Sequence, residues 1–163
     1  MTGSYVRLDE NIFFGIHPGI VHPGDDFDRF VILTTPDQTE GVPLDSRWIA
    51  RASRSPETVL YHPIVDRGAP RSVGEFPALV ETVDEGRGTV YIACKGGHGR
   101  SGLVAAALYA KRYGLSYDEV CLTVLSEWRR QRDMTLLRPR IRRLGCPQTA
   151  VQKRMLQRYL DTL

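Results

Sequence analysis

The chain has 163 residues, which suits one domain with a single hydrophobic core, so we expect a single domain over residues 1–163. Its 42% apolar and 25% charged residues are ordinary for a globular protein and argue against a wholly disordered chain, a collagen or a coiled coil. The net charge of +3 conceals ten Arg and Lys against three acids after residue 125, an excess that suits an anionic substrate or partner.

The sequence also indicates the compartment. Its first residues lack the basic start and apolar core of a secretory signal, and its longest apolar stretch, Leu103 to Ala110, is too short to cross a bilayer. Three cysteines without paired spacing do not form a disulfide framework. We therefore expect an intracellular, cytoplasmic protein without a membrane span, with the monomer as the default oligomeric state.

The predicted elements alternate between strands and helices. Short apolar runs predict strands over Ile12–Gly15, Phe30–Thr34 and Val59–Val65, whereas residues 36–58 have no regular pattern. The run Thr89–Ala93 is typical of a strand buried on both faces. Apolar periodicity predicts helices over Ser72–Glu85, Ser101–Tyr113, Tyr117–Arg130, Leu136–Leu144 and Thr149–Leu160. The order predicts an α/β fold with a central, mostly parallel sheet of four or five strands flanked by helices.

The segment between the buried strand and the next helix carries the strongest chemical signal, and it reads Cys94-Lys95-Gly96-Gly97-His98-Gly99-Arg100-Ser101. Its three glycines let backbone N–H groups turn toward one centre, at which the following helix points its positive end. Arg100 adds a planar fork for two phosphoryl oxygens, and we expect Lys95 and His98 to raise the positive potential. This field favours the thiolate of Cys94, so one loop could bind a phosphate group and attack it.

The spacing Cys-x-x-x-x-x-Arg-Ser, between a strand and a helix, resembles the signature of the cysteine-dependent protein tyrosine phosphatase superfamily. The resemblance implies that Cys94 is the nucleophile, that Arg100 holds the phosphate and that the Ser101 hydroxyl stabilises the leaving thiolate. It implies that the substrate is bound by Lys95, Gly96, Gly97, His98 and Gly99. The sequence departs from the family at Ala93, where most members have a histidine that braces the loop, a loss for which Lys95 and His98 would partly compensate.

An upstream segment extends the resemblance. The run Asp66-Arg67-Gly68-Ala69-Pro70 is similar to the acid loop of the tyrosine-specific branch, although Ile64 and Val65 stand where that branch has Trp-Pro. The resemblance implies that Asp66 is the general acid, which phosphomonoester cleavage needs because an alkoxide or phenolate leaves poorly. The alternative is an aspartate that simply suits a turn rich in glycine and proline.

A downstream segment, Pro147–Gln152, resembles the glutamine loop of the same branch. The resemblance implies that Gln148 positions the water that hydrolyses the phosphocysteine, and that Gln152 assists at the substrate site. A helix start in which Thr149 caps Gln152 is an alternative that is compatible with this role.

Taken together, the resemblance implies that the protein is an enzyme, a protein-tyrosine-phosphatase of dual-specificity size. It implies that the enzyme hydrolyses phosphotyrosine, with phosphoserine or phosphothreonine as further candidate substrates, through a phosphocysteine intermediate. It implies a phosphorylated protein as substrate and neither metal nor cofactor. Two alternatives with the same loop stay open, a phosphoinositide phosphatase and an RNA 5′-triphosphatase, because the cationic loop and basic C-terminal third suit an anionic lipid or RNA. A third, from a different class, is a non-catalytic phosphate-binding pseudophosphatase, which Ala93 and the altered acid loop favour.

Overall fold

A five-stranded sheet forms the centre of the computed structural model, which describes residues 3–35, 59–72 and 74–163. The strands are β1 Tyr5–Arg7, β2 Ile12–Ile16, β3 Arg29–Ile32, β4 Val59–Tyr61 and β5 Val90–Cys94. Their order in the sheet is β1-β2-β5-β3-β4, with β1 antiparallel to β2 and all other neighbours parallel. The predicted α/β fold with a mostly parallel sheet is therefore confirmed.

Five α-helices and one 3₁₀ turn surround the sheet in the described residues. They are α1 Glu75–Glu85, α2 Arg100–Tyr113, α3 Tyr117–Gln131, the 3₁₀ turn Met134–Leu136, α4 Pro139–Leu144 and α5 Ala150–Asp161. Helix α2 packs on β2 and β5 and is flanked by α3 and α5. No helix in the described ranges is long and apolar enough to span a membrane.

Strand β5 lies at the middle of the sheet, and all five of its residues are buried. Because side chains alternate along a strand, Val90, Ile92 and Cys94 join the core beneath α2, whereas Tyr91 and Ala93 join a second, aromatic cluster on the other face. Burial on both faces explains the continuous apolar run. The strand ends on Cys94, at the edge of the sheet where open α/β folds bind their ligands.

Some element boundaries differ from the sequence prediction. Strand β1 was not predicted, because three residues are too few to show an alternating pattern. The strand predicted over Val59–Val65 ends at Tyr61, and Pro63, which has no N–H to donate, lies just beyond it. The basic helix predicted over Leu136–Leu144 is shorter, because Pro139 starts α4 after the 3₁₀ turn. The unassigned residues 36–58 lie outside the described ranges.

Candidate active site

The segment Cys94–Arg100, termed the phosphate loop here, connects β5 to α2. Cys94 and Arg100, at its two ends, are each 2% exposed. The Sγ atom of Cys94 lies 3.2 Å from Oγ of Ser101, in the first turn of α2. The structure therefore places a hydroxyl beside the candidate nucleophile, as the sequence predicts.

The phosphate loop packs tightly on the end of β2. Gly97 has φ of +73°, and a Cβ there would lie 2.5 Å from the Gly15 carbonyl carbon and the Ile16 nitrogen. A larger residue would therefore suffer both backbone strain and a clash with backbone atoms. The His17 N–H, just after β2, donates to the Cys94 carbonyl at 2.9 Å. These contacts fix the backbone of the loop from below.

Arg100 connects three parts of the site. Its Nη1 donates to the carbonyl of Leu33, beyond the end of β3, at 3.3 Å and to that of Ile64 at 3.0 Å. Its Nη2 lies 3.4 Å from Oδ1 of Asp66. The guanidinium is therefore held in one orientation, and its second nitrogen brings the predicted general acid to the phosphate loop.

The segment Val65–Gly68, termed the acid loop here, differs from the phosphate loop in exposure. Val65 is 55% exposed and the Asp66 side chain 54%, and Arg67 has φ of +62°. Ile64, directly before the loop, is buried in the main core. The two residues that replace the family's Trp-Pro thus separate into one core residue and one exposed residue.

The start of α5 holds the acid loop in place. Oγ1 of Thr149 donates to the Arg67 carbonyl at 2.9 Å, and Nε2 of Gln152 donates to the Gly68 carbonyl at 3.1 Å. The Oε1 atom of Gln152 accepts from the N–H groups of Gln148 at 3.0 Å and Thr149 at 3.1 Å. The predicted cap of Gln152 by Thr149 is present as a capping box.

The two glutamines both lie against the phosphate loop and differ in exposure. Gln148 is 8% exposed, and its Oε1 would lie 3.2 Å from a Cβ on Gly99, so its amide packs against the phosphate loop. Gln152 is fully buried, and its amide is used by backbone groups. A Cβ on Gly99 would lie 3.2 Å from Nε2 of Gln152, so this amide also packs against the phosphate loop while it ties the acid loop to α5. A role of Gln152 at the substrate stays a prediction.

His98 does not add positive charge to the loop, contrary to expectation. Its ring is buried, with Nδ1 3.1 Å from the Gly96 carbonyl oxygen and the ring centre 5.8 Å from that of Trp128. Burial lowers the pKa of the imidazole below its usual value, so the ring is neutral at pH 7. Lys95, in contrast, is exposed.

Sequence reasoning missed one buried residue at the site. Arg132, which follows α3, is 7% exposed, and its Nη1 donates to the carbonyls of Gly96 at 3.2 Å and Gly97 at 3.1 Å. The chain has nineteen arginines, and nothing in the local pattern separates this one from the others of the basic C-terminal third. The contact depends on the packing of α3 beneath the loop, which no short motif encodes.

Known proteins that are named as tyrosine phosphatases are similar to this chain in sequence and in structure. A protein of Invertebrate iridescent virus 3, named "Putative tyrosine phosphatase 067L", is 33% identical over 119 residues, 64% of this chain and 48% of its own length. This chain thus aligns with about half of that protein. The crystal structure of Tk-PTP in the active form matches with a TM-score of 0.71 and 29% identity, covering 100% of both chains.

More distant structures share the fold. PTPMT1 in complex with PI(5)P has a TM-score of 0.66 at 18% identity, covering 98% of this chain and 96% of its own.

The family model that describes the DSP-PTPase phosphatase domain of the Swiss Army Knife proteins, PTP-SAK, matches residues 28–153. Over this range the chain contains both loops and the glutamine segment, and it belongs to the PTP-SAK family of dual-specificity-type phosphatase domains.

Proposed function

We propose that this phosphatase domain hydrolyses phosphotyrosine, and phosphoserine or phosphothreonine as further substrates, in proteins. The observation that carries the proposal is the position of Arg100, whose buried guanidinium contacts Asp66 at one side of a loop that begins at Cys94. This contact supports the proposal that a nucleophile, a phosphate ligand and a general acid from two separate segments of the chain act at one place.

In the first step, the Cys94 thiolate attacks phosphorus, so that an S–P bond forms as the P–O bond to the leaving group breaks. The guanidinium of Arg100 and the N–H groups of the phosphate loop hold the three remaining oxygens. Asp66 donates its proton to the departing oxygen. Its exposed position at the rim suits a group that must reach a substrate entering from solvent.

In the second step, a water attacks the phosphocysteine and gives its proton to the Asp66 carboxylate. The S–P bond breaks and the electron pair returns to sulfur, where the hydroxyl of Ser101, 3.2 Å away, donates to the thiolate. Gln148, which packs against Gly99, orients the water through its side-chain amide. The cycle ends with inorganic phosphate and an enzyme in its starting protonation state.

The charge of the phosphate loop supports a phosphomonoester of a protein. Because His98 is buried and neutral, the cations of this loop are Arg100, which serves the reacting phosphate, and the exposed Lys95. Arg100 therefore binds the reacting phosphate, and the exposed ammonium group of Lys95 remains available to bind a neighbouring anion. An acidic residue beside a phosphorylated side chain would supply that anion.

A phosphoinositide phosphatase is a second candidate, which the surface of α4 favours. Arg140, Arg142 and Arg143 on this short helix are exposed, and no described carboxylate pairs with them. An anionic headgroup or its membrane could neutralise them. The same exposed arginines of α4 would also suit the polyanionic substrate of an RNA 5′-triphosphatase.

One substrate panel separates the candidates. Turnover is measured with EDTA present on phosphotyrosine, phosphoserine and phosphothreonine peptides, phosphoinositide vesicles and 5′-triphosphorylated RNA, for the wild type and Cys94→Ser. We expect the phosphotyrosine peptides to be hydrolysed fastest, Cys94→Ser to be inactive and Cys121→Ser to be a fully active control. Preference for the lipid or the RNA would contradict the proposed substrate. Absence of any turnover, including on an aryl phosphate, would indicate a phosphate-binding pseudophosphatase.

A further inference from the structure

Arg132 is attached to the phosphate loop from behind. The residue ends α3, where its N–H donates to the Trp128 carbonyl at 3.0 Å, and its side chain turns to the carbonyls of Gly96 and Gly97. A Cβ on Gly97 would lie 2.9 Å from Nη1 of Arg132. The guanidinium therefore needs a glycine at this point of the loop and fills the space that a side chain would take.

These two hydrogen bonds orient the amides of the loop. In a trans peptide the C=O and the following N–H point in opposite directions. Fixing the carbonyls of Gly96 and Gly97 toward Arg132 therefore directs the N–H groups of Gly97 and His98 away from it. The Gly96 carbonyl oxygen also accepts a hydrogen bond from the Nδ1–H group of His98 at 3.1 Å, so neutral His98 is a second restraint on the same peptide.

The charge of Arg132 lacks the usual compensation. None of the carboxylates in the described ranges forms an ion pair with it, and its buried Nε has no hydrogen-bond partner there. Burial lowers the pKa of the guanidinium, although Arg is far too basic to lose its proton at neutral pH. A buried cation of this kind is costly unless an anion lies nearby.

The acidic groups that interact with Arg132 are those of Tyr91, Cys94 and Cys146. Burial raises the pKa values of Tyr91 and Cys146, so both are neutral at physiological pH. Cys94 is the remaining one, and it is the group that our proposed function requires as a thiolate. Tyr91 in β5, Arg132 after α3 and Cys146 before α5 interact electrostatically with Cys94. Lys95, His98 and Arg100 belong to the same loop as Cys94, and Asp66 of the acid loop pairs with Arg100.

We propose that Arg132 is a positioning residue, which orients the phosphate-loop amides through Gly96 and Gly97 and adds a buried positive charge to the loop that begins at Cys94. This role rests on the proposed function of Cys94. It supplies the brace that Ala93 cannot provide, since a methyl group makes no hydrogen bond. Lys95 and His98, expected from sequence to compensate for Ala93, are exposed and neutral, respectively.

The test compares Arg132→Met, Arg132→Lys and the control Arg129→Met, in which an exposed arginine of the same helix end is replaced. Alkylation of Cys94 by iodoacetamide is followed across pH, and inorganic phosphate binding is measured by calorimetry. In Arg132→Met we expect the alkylation midpoint to move to higher pH, and phosphate affinity to fall roughly tenfold. Arg129→Met should match the wild type.

The lysine variant separates charge from geometry. Arg132→Lys retains the positive charge but loses the planar fork. We expect its alkylation midpoint to stay near that of the wild type while phosphate affinity falls. A folded Arg132→Met protein with an unshifted midpoint would overturn the proposal. If that variant does not fold, unchanged phosphate affinity in Arg132→Lys would overturn it. Neither readout needs turnover, so absence of phosphatase activity would reject the proposed function and leave these results to be judged separately.

Discussion

The phosphate loop and the acid loop meet at Arg100 but are built in opposite ways. The phosphate loop is buried at both ends and packed on β2, and its carbonyls are held by Arg132. The acid loop presents exposed Asp66 to solvent and is held by a few bonds from the start of α5. The difference suits the tasks that we propose for them, because the transition state needs preorganised donors, whereas a general acid must accommodate substrates as they enter.

The largest expected loss of activity comes from a change at the end of the phosphate loop. Arg100→Lys keeps a positive charge but cannot donate to Leu33 and Ile64 while also presenting a fork to phosphate. We expect kcat/KM on an aryl phosphate to fall by about 10³-fold or more. Arg154→Lys, an exposed substitution on α5, is the control and should be neutral. A loss of less than tenfold in Arg100→Lys would show that the fork is dispensable.

A smaller loss of activity is expected from a change in the acid loop. Asp66→Asn removes the transferable proton, so kcat on a phosphotyrosine peptide should fall by about 10²-fold. The loss in the first, burst phase should be smaller on an aryl phosphate with a good leaving group, since that oxygen needs no proton. Asp161→Asn, near the chain end, is the matched control. Equal burst-phase losses on both substrates would rule out Asp66 as the general acid.

The tie between the loops gives a weaker effect. Thr149→Ala removes both the bond to the Arg67 carbonyl and the cap of α5. We expect about 1 kcal/mol of lost stability, together with a several-fold fall in kcat and unchanged alkylation of Cys94. Ser116→Ala removes the equivalent capping box of α3, which has no bond to the acid loop. It should cost similar stability in thermal unfolding without lowering kcat, and matching kcat losses in both variants would contradict the tie.

At pH 7 the smallest expected effect lies beneath the phosphate loop, where a buried histidine makes stability depend on pH. Burial lowers the pKa of His17 to about 4, and its Nδ1 accepts from the Gly19 N–H at 2.9 Å. Because the unfolded chain binds a proton near pH ~6.5, this contribution to stability is complete above that pH. It is lost as pH falls toward 4, by about 3 kcal/mol in total.

The measurement is urea unfolding between pH 7 and pH 4. His17→Asn should flatten the loss of stability with falling pH, although His98, whose pKa is also lowered, contributes a slope of the same sign. His22→Asn, in an exposed position of the same loop, should retain the full slope. A wild-type slope in His17→Asn would show that this ring is not responsible.

The sequence predicted the parts of the site that are encoded locally. Cys94, Arg100 and Ser101 all lie in one short strand–loop–helix segment, so their proximity follows from the motif. Asp66 and Gln148 follow from short motifs as well, and the structure places both against the phosphate loop.

The features that the sequence did not predict depend on tertiary packing. The neutral state of His98 follows from burial against Trp128, thirty positions away. The contact of Arg132 with Gly96 joins residues 36 positions apart. The burial of Gln152 likewise depends on the acid loop, whose Gly68 is 84 positions away. None of these separations leaves a periodic or spacing signal in the chain.

The most direct measurement is to trap the covalent intermediate. Asp66→Asn is mixed with an aryl phosphate that has a good leaving group and is quenched in acid, because loss of the base should slow the second step more than the first. Peptide mass spectrometry should then find one phosphoryl group on Cys94 and none on Cys121 or Cys146. Turnover by the wild type with no phosphoryl group trapped on Cys94, or with one trapped on another residue, would contradict the account.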